Sequence, residues 1–350
     1  MFFITLLGAG PALAEAPARP FAVVPYGFLR PGFTWRQDDP ALLTDTDGFS
    51  ALARFGVEAA AEPIHLRARV EIDLQPAPVL QDAFVNWSPH PAFSLNVGQL
   101  KVPFSISNLA SDSRRQLPTD NAVSRIADIG RDMGASIEGR LPIAQQTRAS
   151  FTSAVMNGEG KNRLENVNDD FLFAQRLVIT PFGSRERPAE GRSPTPYLGV
   201  GCGWVYNLTG ADESATEYNT FAAELQFAIG VFSLQGEVAD VQVVHASPDV
   251  VDYNSTGAYG QFGLFIPAPW VSKHLEVVGR AGYAEPNDAL ASNVDEVSTI
   301  DIDAGLNLYI PETPAYLHDV KIQVAYRHSI QDEGDELDDD RMDIVGTVRF

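Results

Sequence analysis

The most regular feature of this chain is a set of segments in which apolar and polar residues alternate strictly. In residues 65–75, HLRARVEIDLQ, every second residue is apolar and the residues between them are charged or polar. Similar alternation recurs in residues 299–310 and 320–327. A period of two is typical of a β-strand that has one apolar and one polar face. The pattern therefore predicts a protein built mainly of such strands.

Segments of this kind occur about sixteen times at roughly ten residues each, the length with which a tilted strand crosses a bilayer. The predicted strands are 24–35, 51–61, 64–75, 79–87, 93–102, 131–141, 147–156, 171–181, 195–206, 217–228, 231–243, 255–266, 273–284, 297–310, 319–330 and 341–350. We expect an all-β fold with one domain, residues 15–350. It would be a single closed antiparallel transmembrane β-barrel of about sixteen strands, with a long loop folded into its lumen.

The predicted connections fall into two classes that alternate along the chain. Those after even-numbered strands are mostly short and rich in Pro or Gly, whereas most of those after odd-numbered strands are long and polar. The long connections are residues 36–50, 103–130, 157–170, 207–217, 245–254, 285–296 and 331–340. Short turns at one end and long loops at the other are typical of bacterial outer-membrane barrels.

The two ends of the chain carry signals of their own. The start, MFFITLLGAGPALAEAPARP, has an apolar run followed by Ala12, Leu13 and Ala14, which predicts a signal peptide over residues 1–14. The last residues, RMDIVGTVRF, alternate and end on Phe350. A strand with an aromatic carboxy-terminal residue resembles the signal by which outer-membrane barrels enter their assembly machinery. Together these features predict export and insertion into the bacterial outer membrane.

Composition excludes several classes of protein. The chain has 46 acidic and 25 basic residues, and a surface with a net charge of −21 repels nucleic acid. Its mean hydropathy of −0.09 is too polar for a bundle of lipid-exposed helices. Cys202 is the sole cysteine, so a disulfide framework or a multi-cysteine metal site is excluded. No nucleophile elbow, zinc-binding helix motif or phosphate-binding loop occurs, so we expect no enzyme activity, no catalytic residue and no cofactor.

The excess negative charge lies in the predicted long loops. They hold 27 acidic and 6 basic residues, a net charge of −21, and the rest of the chain has 19 of each. A charged run is usually a solvated loop. The alternative is a weak site for divalent cations that bridge to lipopolysaccharide, since carboxylates are their preferred ligands. The candidates for it are Asp332, Glu333, Asp335, Glu336, Asp338, Asp339 and Asp340.

Several segments together resemble one known family. They are GFLRPGF (27–33), GQLKVPFS (98–105), RDMGASIEGRL (131–141), AVMNGEG (154–160) with residues 166–170, and AQRLVITPFG (174–183). These segments look like the phosphate-selective porins O and P, and the likeness extends over most of the chain. The resemblance implies a sixteen-stranded barrel, commonly a homotrimer, whose water-filled pore is narrowed by an inward-folded third outer loop.

The predicted loop 103–130 is the longest connection, and its charges balance. A connection of that length is usually functional or disordered. Folded into the lumen it would form a constriction, where arginine suits phosphate because its planar fork donates two parallel hydrogen bonds. The candidate constriction and solute-binding residues are Lys101, Arg114, Arg115, Arg125 and Arg131. The candidate pore-lining residues are Arg67, Arg69, Arg148, Arg176, Arg280, Lys321 and Arg327.

Each of these arginines has an alternative role, in which a nearby carboxylate pairs with it and stiffens the wall. The acidic loops also oppose anion selectivity, because they deplete anions near the mouth. The predicted function is therefore passive diffusion of small hydrophilic solutes, with a possible lean toward anions or phosphate. The alternatives are a specific channel for a sugar or carboxylate, and a barrel whose acidic loops serve adhesion or cross-bridging of lipopolysaccharide through divalent cations.

Overall fold

The computed structural model describes residues 21–37, 47–75, 77–183, 190–193, 195–289, 298–310, 318–331 and 340–350. The predicted signal peptide, residues 1–14, lies outside the described residues. So does the predicted acidic cation site, except for Asp340.

The described residues form sixteen strands. Their bounds are β1 (Ala22–Arg36), β2 (Gly48–Ala61), β3 (Leu66–Asp73), β4 (Val79–His90), β5 (Phe93–Lys101), β6 (Arg131–Pro142), β7 (Arg148–Met156), β8 (Leu172–Phe182), β9 (Tyr197–Thr209), β10 (Thr216–Ile229), β11 (Phe232–His245), β12 (Tyr253–Phe265), β13 (Leu275–Glu285), β14 (Thr299–Tyr309), β15 (Val320–Gln331) and β16 (Arg341–Arg349). No bound differs from its predicted position by more than three residues. Among the described residues, no helix has both the length and the apolar character to span a membrane.

Each strand pairs antiparallel with its neighbours in the chain, and β1 pairs with β16 to close the ring. At this seam the amide of Gly27 donates to the carbonyl of Phe350 at 3.0 Å, and the amide of Phe350 donates to the carbonyl of Gly27 at 3.1 Å. Closure matters because an open sheet would leave a row of unpaired backbone groups at each edge. The prediction of a closed sixteen-stranded antiparallel barrel is confirmed.

The two faces of the ring differ in polarity. On β11, Leu234 and Val238 point outward and are exposed, whereas Gln235 and Glu237 point inward and are buried. On β14, Ile302 alternates in the same way with the buried Asp301 and Asp303. The period-two pattern of the sequence thus corresponds to an apolar outer face and a largely polar lumen.

The connections sort by length less cleanly than predicted. We call the end of the barrel that carries the connections after odd-numbered strands the long-loop end, and the other the short-turn end. At the long-loop end the connections 210–215 and 246–252 are short, and at the short-turn end 183–196 is long. The latter connection has a structural reason for its length, because Glu190 within it contacts the lumen segment described below.

Candidate constriction in the lumen

Residues 102–130, here called the lumen segment, join β5 to β6. The amide of Val102 donates to the carbonyl of Gly130 at 3.1 Å and closes the base of the segment. Two short helices follow, α1 (Ile106–Leu109) and α2 (Ala122–Ile126). Each begins after a polar residue whose side chain accepts a backbone hydrogen bond, Ser105 for α1 and Asn121 for α2. Serine and asparagine are favoured there because their oxygens satisfy amides that the helix leaves unpaired.

Two buried glutamates hold the start of α1. Glu224 on β10 accepts the amide of Ile106 at 2.8 Å. Glu237 on β11 accepts the amide of Ser107 at 2.7 Å and its hydroxyl at 2.5 Å. These carboxylates therefore fix the segment against one side of the barrel.

The middle of the segment reaches toward the short-turn end. The side-chain amide of Gln116 donates to Glu276 on β13 at 2.7 Å, and the backbone carbonyl of Gln116 accepts from Asn307 at 2.9 Å and Gln323 at 2.7 Å. The backbone amide of Gln116 donates to the carboxylate of Glu190 at 2.8 Å. Strands β13, β14 and β15 and the long connection at the short-turn end therefore all help to hold Gln116.

A second anchor lies around Asp303 on β14. Its carboxylate accepts from Arg280 and Arg327 at 2.9 Å each and from the hydroxyl of Thr119 at 3.0 Å. Arg280 also donates to the carbonyls of Thr119 and Asp120 at 3.1 Å. The two guanidinium groups thus join the wall to the segment.

The segment also reaches the opposite wall, where Arg54 on β2 lies 3.4 Å from the carboxylate of Asp112. Arg30 on β1 donates to the carbonyl of Pro118 at 3.4 Å. Because β1 and β2 face β10 and β11 across a closed ring, a segment that contacts the inward residues of both lies inside the barrel.

Charged side chains concentrate on the wall formed by β2 to β6. Arg54 donates to Asp73 at 2.5 Å and 3.0 Å. Arg69 lies 2.7 Å from Glu71, and Arg131 lies 2.7 Å from Asp82. Each guanidinium therefore has a carboxylate beside it, which lowers the cost of holding the charge away from bulk water.

The lumen segment presents charges toward the same wall. Arg115 lies 3.5 Å from Asp112 and also pairs with Asp120. Burial opposes ionisation of Asp112, but Arg115, Arg54 and Lys101 outweigh it and hold the pKa of Asp112 well below its usual range. Asp112 therefore stays ionised throughout the neutral range.

The other predicted site residues have varied positions. Arg176 pairs with Glu224, Arg125 pairs with Asp301, and the exposed Arg67 lies 3.7 Å from Glu62. These pairings favour a structural role for the arginines concerned.

Lys101 donates to the carbonyls of Asn108 and Ala110 at 2.7 Å, and Lys321 donates to that of Arg115 at 2.5 Å. The two lysines therefore hold the backbone of the lumen segment. The carbonyl of Arg114 accepts the amide of Glu190 at 3.2 Å, which places Arg114 near the short-turn end. Arg148 is exposed at the start of β7, at that same end.

Alternation along the chain did not identify Arg30, Arg54 or the carboxylates that surround them as constriction residues. Arg54 lies between Ala53 and Phe55, where a single polar residue in an apolar stretch gives a weak strand signal. The available signal was the even spacing of Arg54 and Glu58, which are four positions apart on the same predicted strand and so share one of its faces. In the structure this is the inward face of β2.

A polar cavity of about 450 Å³ opens at the short-turn end. Its walls come from β2 to β6 and the turns between them. The lining residues include Glu58, His65, Arg69, Asn86, Asn96, Glu138 and Arg140. This cavity lies on the side of the barrel that the lumen segment leaves uncovered.

Metal-ligand geometry is absent from the described part of the chain, where no group of three or more His, Cys, Asp or Glu side chains is arranged to hold an ion. Asp340, at the described edge of the acidic loop, accepts from Tyr326 and lies 2.6 Å from Nδ1 of His328.

The barrel is similar to solved outer-membrane proteins at low sequence identity. An anion-selective porin from Comamonas acidovorans matches with a TM-score of 0.61 and 11% identity, over 94% of this chain and 99% of that chain. OmpF of Salmonella typhi, solved with daunomycin, matches with a TM-score of 0.63 and 12% identity, over 94% of this chain and 97% of that chain. The trimer form of OmpT, an outer membrane protein of Vibrio cholerae, matches with a TM-score of 0.62 and 9% identity, over 95% of this chain and 100% of that chain. No protein-family model and no curated protein matches the chain. The likeness therefore shows a shared fold.

Proposed function

We propose that the protein is an outer-membrane channel through which small hydrophilic solutes diffuse passively. The observation that carries this proposal is the reversal of polarity across the wall of the ring. Residues such as Leu234 and Ile302 face outward, and Glu237 and Asp303 face the lumen. Such a wall suits hydrocarbon outside and water inside. The fold shared with solved outer-membrane porins supports the same function.

The lumen segment supports a constriction that narrows the channel without filling it. The side chain of Asp120 is 63% exposed. The side chains of Asp112 and Arg69 lie on opposite sides of the remaining gap and are 29% and 24% exposed. Solutes would pass between the segment and the wall of β1 to β6, and then through the polar cavity at the short-turn end.

The charges of the arginines and carboxylates around this gap balance. The basic groups are Arg30, Arg54, Arg69, Arg115 and Arg131, and the acidic groups are Glu71, Asp73, Asp82, Asp112 and Asp120. We infer little preference between anions and cations at the constriction, whereas the acidic long loops favour cations at the mouth. Phosphate is the solute that the resemblance to the phosphate-selective porins O and P suggests. The pairing of Arg54, Arg69 and Arg131 with carboxylates favours weak over tight phosphate binding.

The test is single-channel recording with the purified barrel in planar bilayers. We expect stepwise conductance, a reversal potential close to zero in a salt gradient, and less than about tenfold discrimination between phosphate and chloride, equivalent to under 1.4 kcal/mol. Absence of conductance from a demonstrably folded barrel would contradict the proposal and favour an adhesion role. Block by micromolar sugar or dicarboxylate would favour the specific channel instead.

The proposal includes an export route and partners. Removal of residues 1–14 by signal peptidase would appear as a shortened amino terminus in the mature protein. Phe350, which closes the seam with Gly27, would be read by the assembly machinery, so deletion of Phe350 should lower the folded yield in cells. A homotrimer would appear as three times the protomer mass in detergent. Lipopolysaccharide bridged by divalent cations at the acidic loops would be released by a chelator.

A further inference from the structure

The inward face of β8 to β12 changes character along the barrel. In the middle it carries the glutamates that hold α1, but toward the long-loop end it becomes apolar. There Val205 pairs in register with Thr220, which pairs with Val241, and Tyr218 pairs with Val243. An apolar lumen surface is unexpected beside a water-filled path, since inward residues of porin-like barrels are polar.

Part of this surface packs the lumen segment. Val102, Phe104 and Val123 form one buried apolar cluster with Val205 and Val241. The packing is incomplete, because a cavity of about 280 Å³ remains between the end of α2 and the wall. Ile126, Ile129, Leu172, Val205, Tyr218, Val241, Val243 and Tyr253 supply its apolar lining.

The charged residues that line this cavity are acidic. Asp128 lies exposed at its edge and Asp132 lies buried in its wall, and neither Lys nor Arg contributes to the described lining. Asp132 already accepts the amides of Met133 and Gly158, at 2.6 Å and 2.5 Å. Arg125 and Arg131, each three positions from Asp128 in the chain, are paired with Asp301 and Asp82 respectively. Asp128 is therefore the carboxylate that faces an incoming solute.

We propose that this cavity, here called the entrance pocket, binds small organic cations that have an apolar body. The ring or alkyl group would lie against Val241, Val243 and Tyr253, and the ammonium group would lie at Asp128. The volume is close to the lower limit of small-molecule sites, roughly 300 Å³, and fits a single ring with a short chain. Tyrosine faces attract a cation electrostatically, and the acidic loops raise its local concentration.

The test uses calorimetry on the folded barrel in detergent, so it does not depend on conductance. The probes are phenethylammonium, 3-phenylpropionate, which carries the opposite charge, and ethylammonium, which lacks the ring. We expect phenethylammonium to bind at least about tenfold more tightly than either, because ring burial and charge both contribute. Equal binding of 3-phenylpropionate, or no binding of phenethylammonium, would overturn the proposal.

Variants locate the site. The double substitution Val241→Thr and Val243→Thr keeps side-chain shape but adds hydroxyls, and should weaken phenethylammonium binding about tenfold. Val238→Thr, on the outward face of the same strand, is the matched control and should leave it unchanged. Asp128→Asn should weaken phenethylammonium but leave phenethyl alcohol unaffected. Unaltered affinity in the double variant would show that binding occurs elsewhere.

The entrance pocket and the proposed channel can fail separately. A barrel that conducts but does not bind phenethylammonium would refute the pocket and leave the channel intact. A barrel that binds phenethylammonium, and whose variants weaken that binding as expected, but that shows no conductance would refute the channel and leave the entrance pocket intact. In a conducting barrel, we expect phenethylammonium added from the long-loop side to cause brief interruptions of current, which the double variant shortens.

Discussion

The carbonyl oxygen of Phe104 lies where a side chain on Gly203 would begin. A Cβ atom at position 203 would overlap that oxygen and lie 3.1 Å from the Phe104 ring. Phe104 and the inward face of β9 therefore pack backbone against backbone. The lumen segment takes its position because residue 203 has no side chain.

This contact predicts that Gly203→Ala displaces the lumen segment. Overpacking costs about 1–3 kcal/mol, and the segment has fewer constraints than the hydrogen-bonded wall. We expect a single-channel conductance that differs from that of the unmodified protein and open-state current noise that rises. Gly260→Ala on β12 is the matched control, because an added Cβ there meets nothing within 4 Å. The same conductance in both variants would show that position 203 does not seat the segment.

A second prediction concerns the stability of the anchor at Asp303. Asp303→Asn would leave the buried groups Arg280 and Arg327 short of their carboxylate, and loss of one partner of a buried ion pair costs about 3–5 kcal/mol. The free energy of unfolding in urea, followed by tryptophan fluorescence in lipid vesicles, measures this loss. Arg140→Gln breaks the pair with Glu138, in which Arg140 is 56% exposed, and should cost about 0–1 kcal/mol. Equal losses would contradict the proposed importance of the anchor.

The charge of Asp112 gives a prediction that depends on pH. Its pKa is depressed below the usual value of about 3.9, so the carboxylate stays ionised at both about pH 7 and about pH 5. Asp112→Asn should therefore shift the reversal potential toward anions by the same amount at the two pH values. The stability that ionised Asp112 contributes is present above its unfolded pKa and is lost only as pH falls through the lower folded value. A shift that disappears by about pH 5 would show that the pKa of Asp112 is raised instead of depressed.

A fourth prediction separates the constriction from the acidic loops. The screening length falls from about 10 Å at 0.1 M salt to about 3 Å at 1 M. In the proposed channel the acidic loops would act over a distance at the mouth, whereas groups such as Arg54 and Arg115 would line the path itself. Raising the mean salt concentration should therefore move the reversal potential toward anions. A shift toward cations would mean that the charges screened by salt attract anions, so that the acidic loops do not dominate at the mouth.

Local pattern was sufficient to predict the strands. Apolar and polar residues at a period of two determine which face of a strand meets which environment, and this information lies within about ten residues of chain. The count of sixteen strands and their bounds followed from it. The pattern also predicted that basic residues such as Arg69 and Lys321 lie on polar faces, but it did not predict which residues they contact.

Only the tertiary structure decided which charges meet. Arg54 and Asp112 are 58 positions apart, and Gln116 and Asn307 are 191 apart. No period in the chain encodes such pairs, because they arise when the ring closes and the lumen segment lies across it. The entrance pocket has the same origin: β8 to β12 each carry an ordinary apolar residue near one end, and closure brings them together beside α2. Alternation specifies the wall of a barrel, whereas its interior depends on long-range contacts among side chains that the local pattern treats as equivalent.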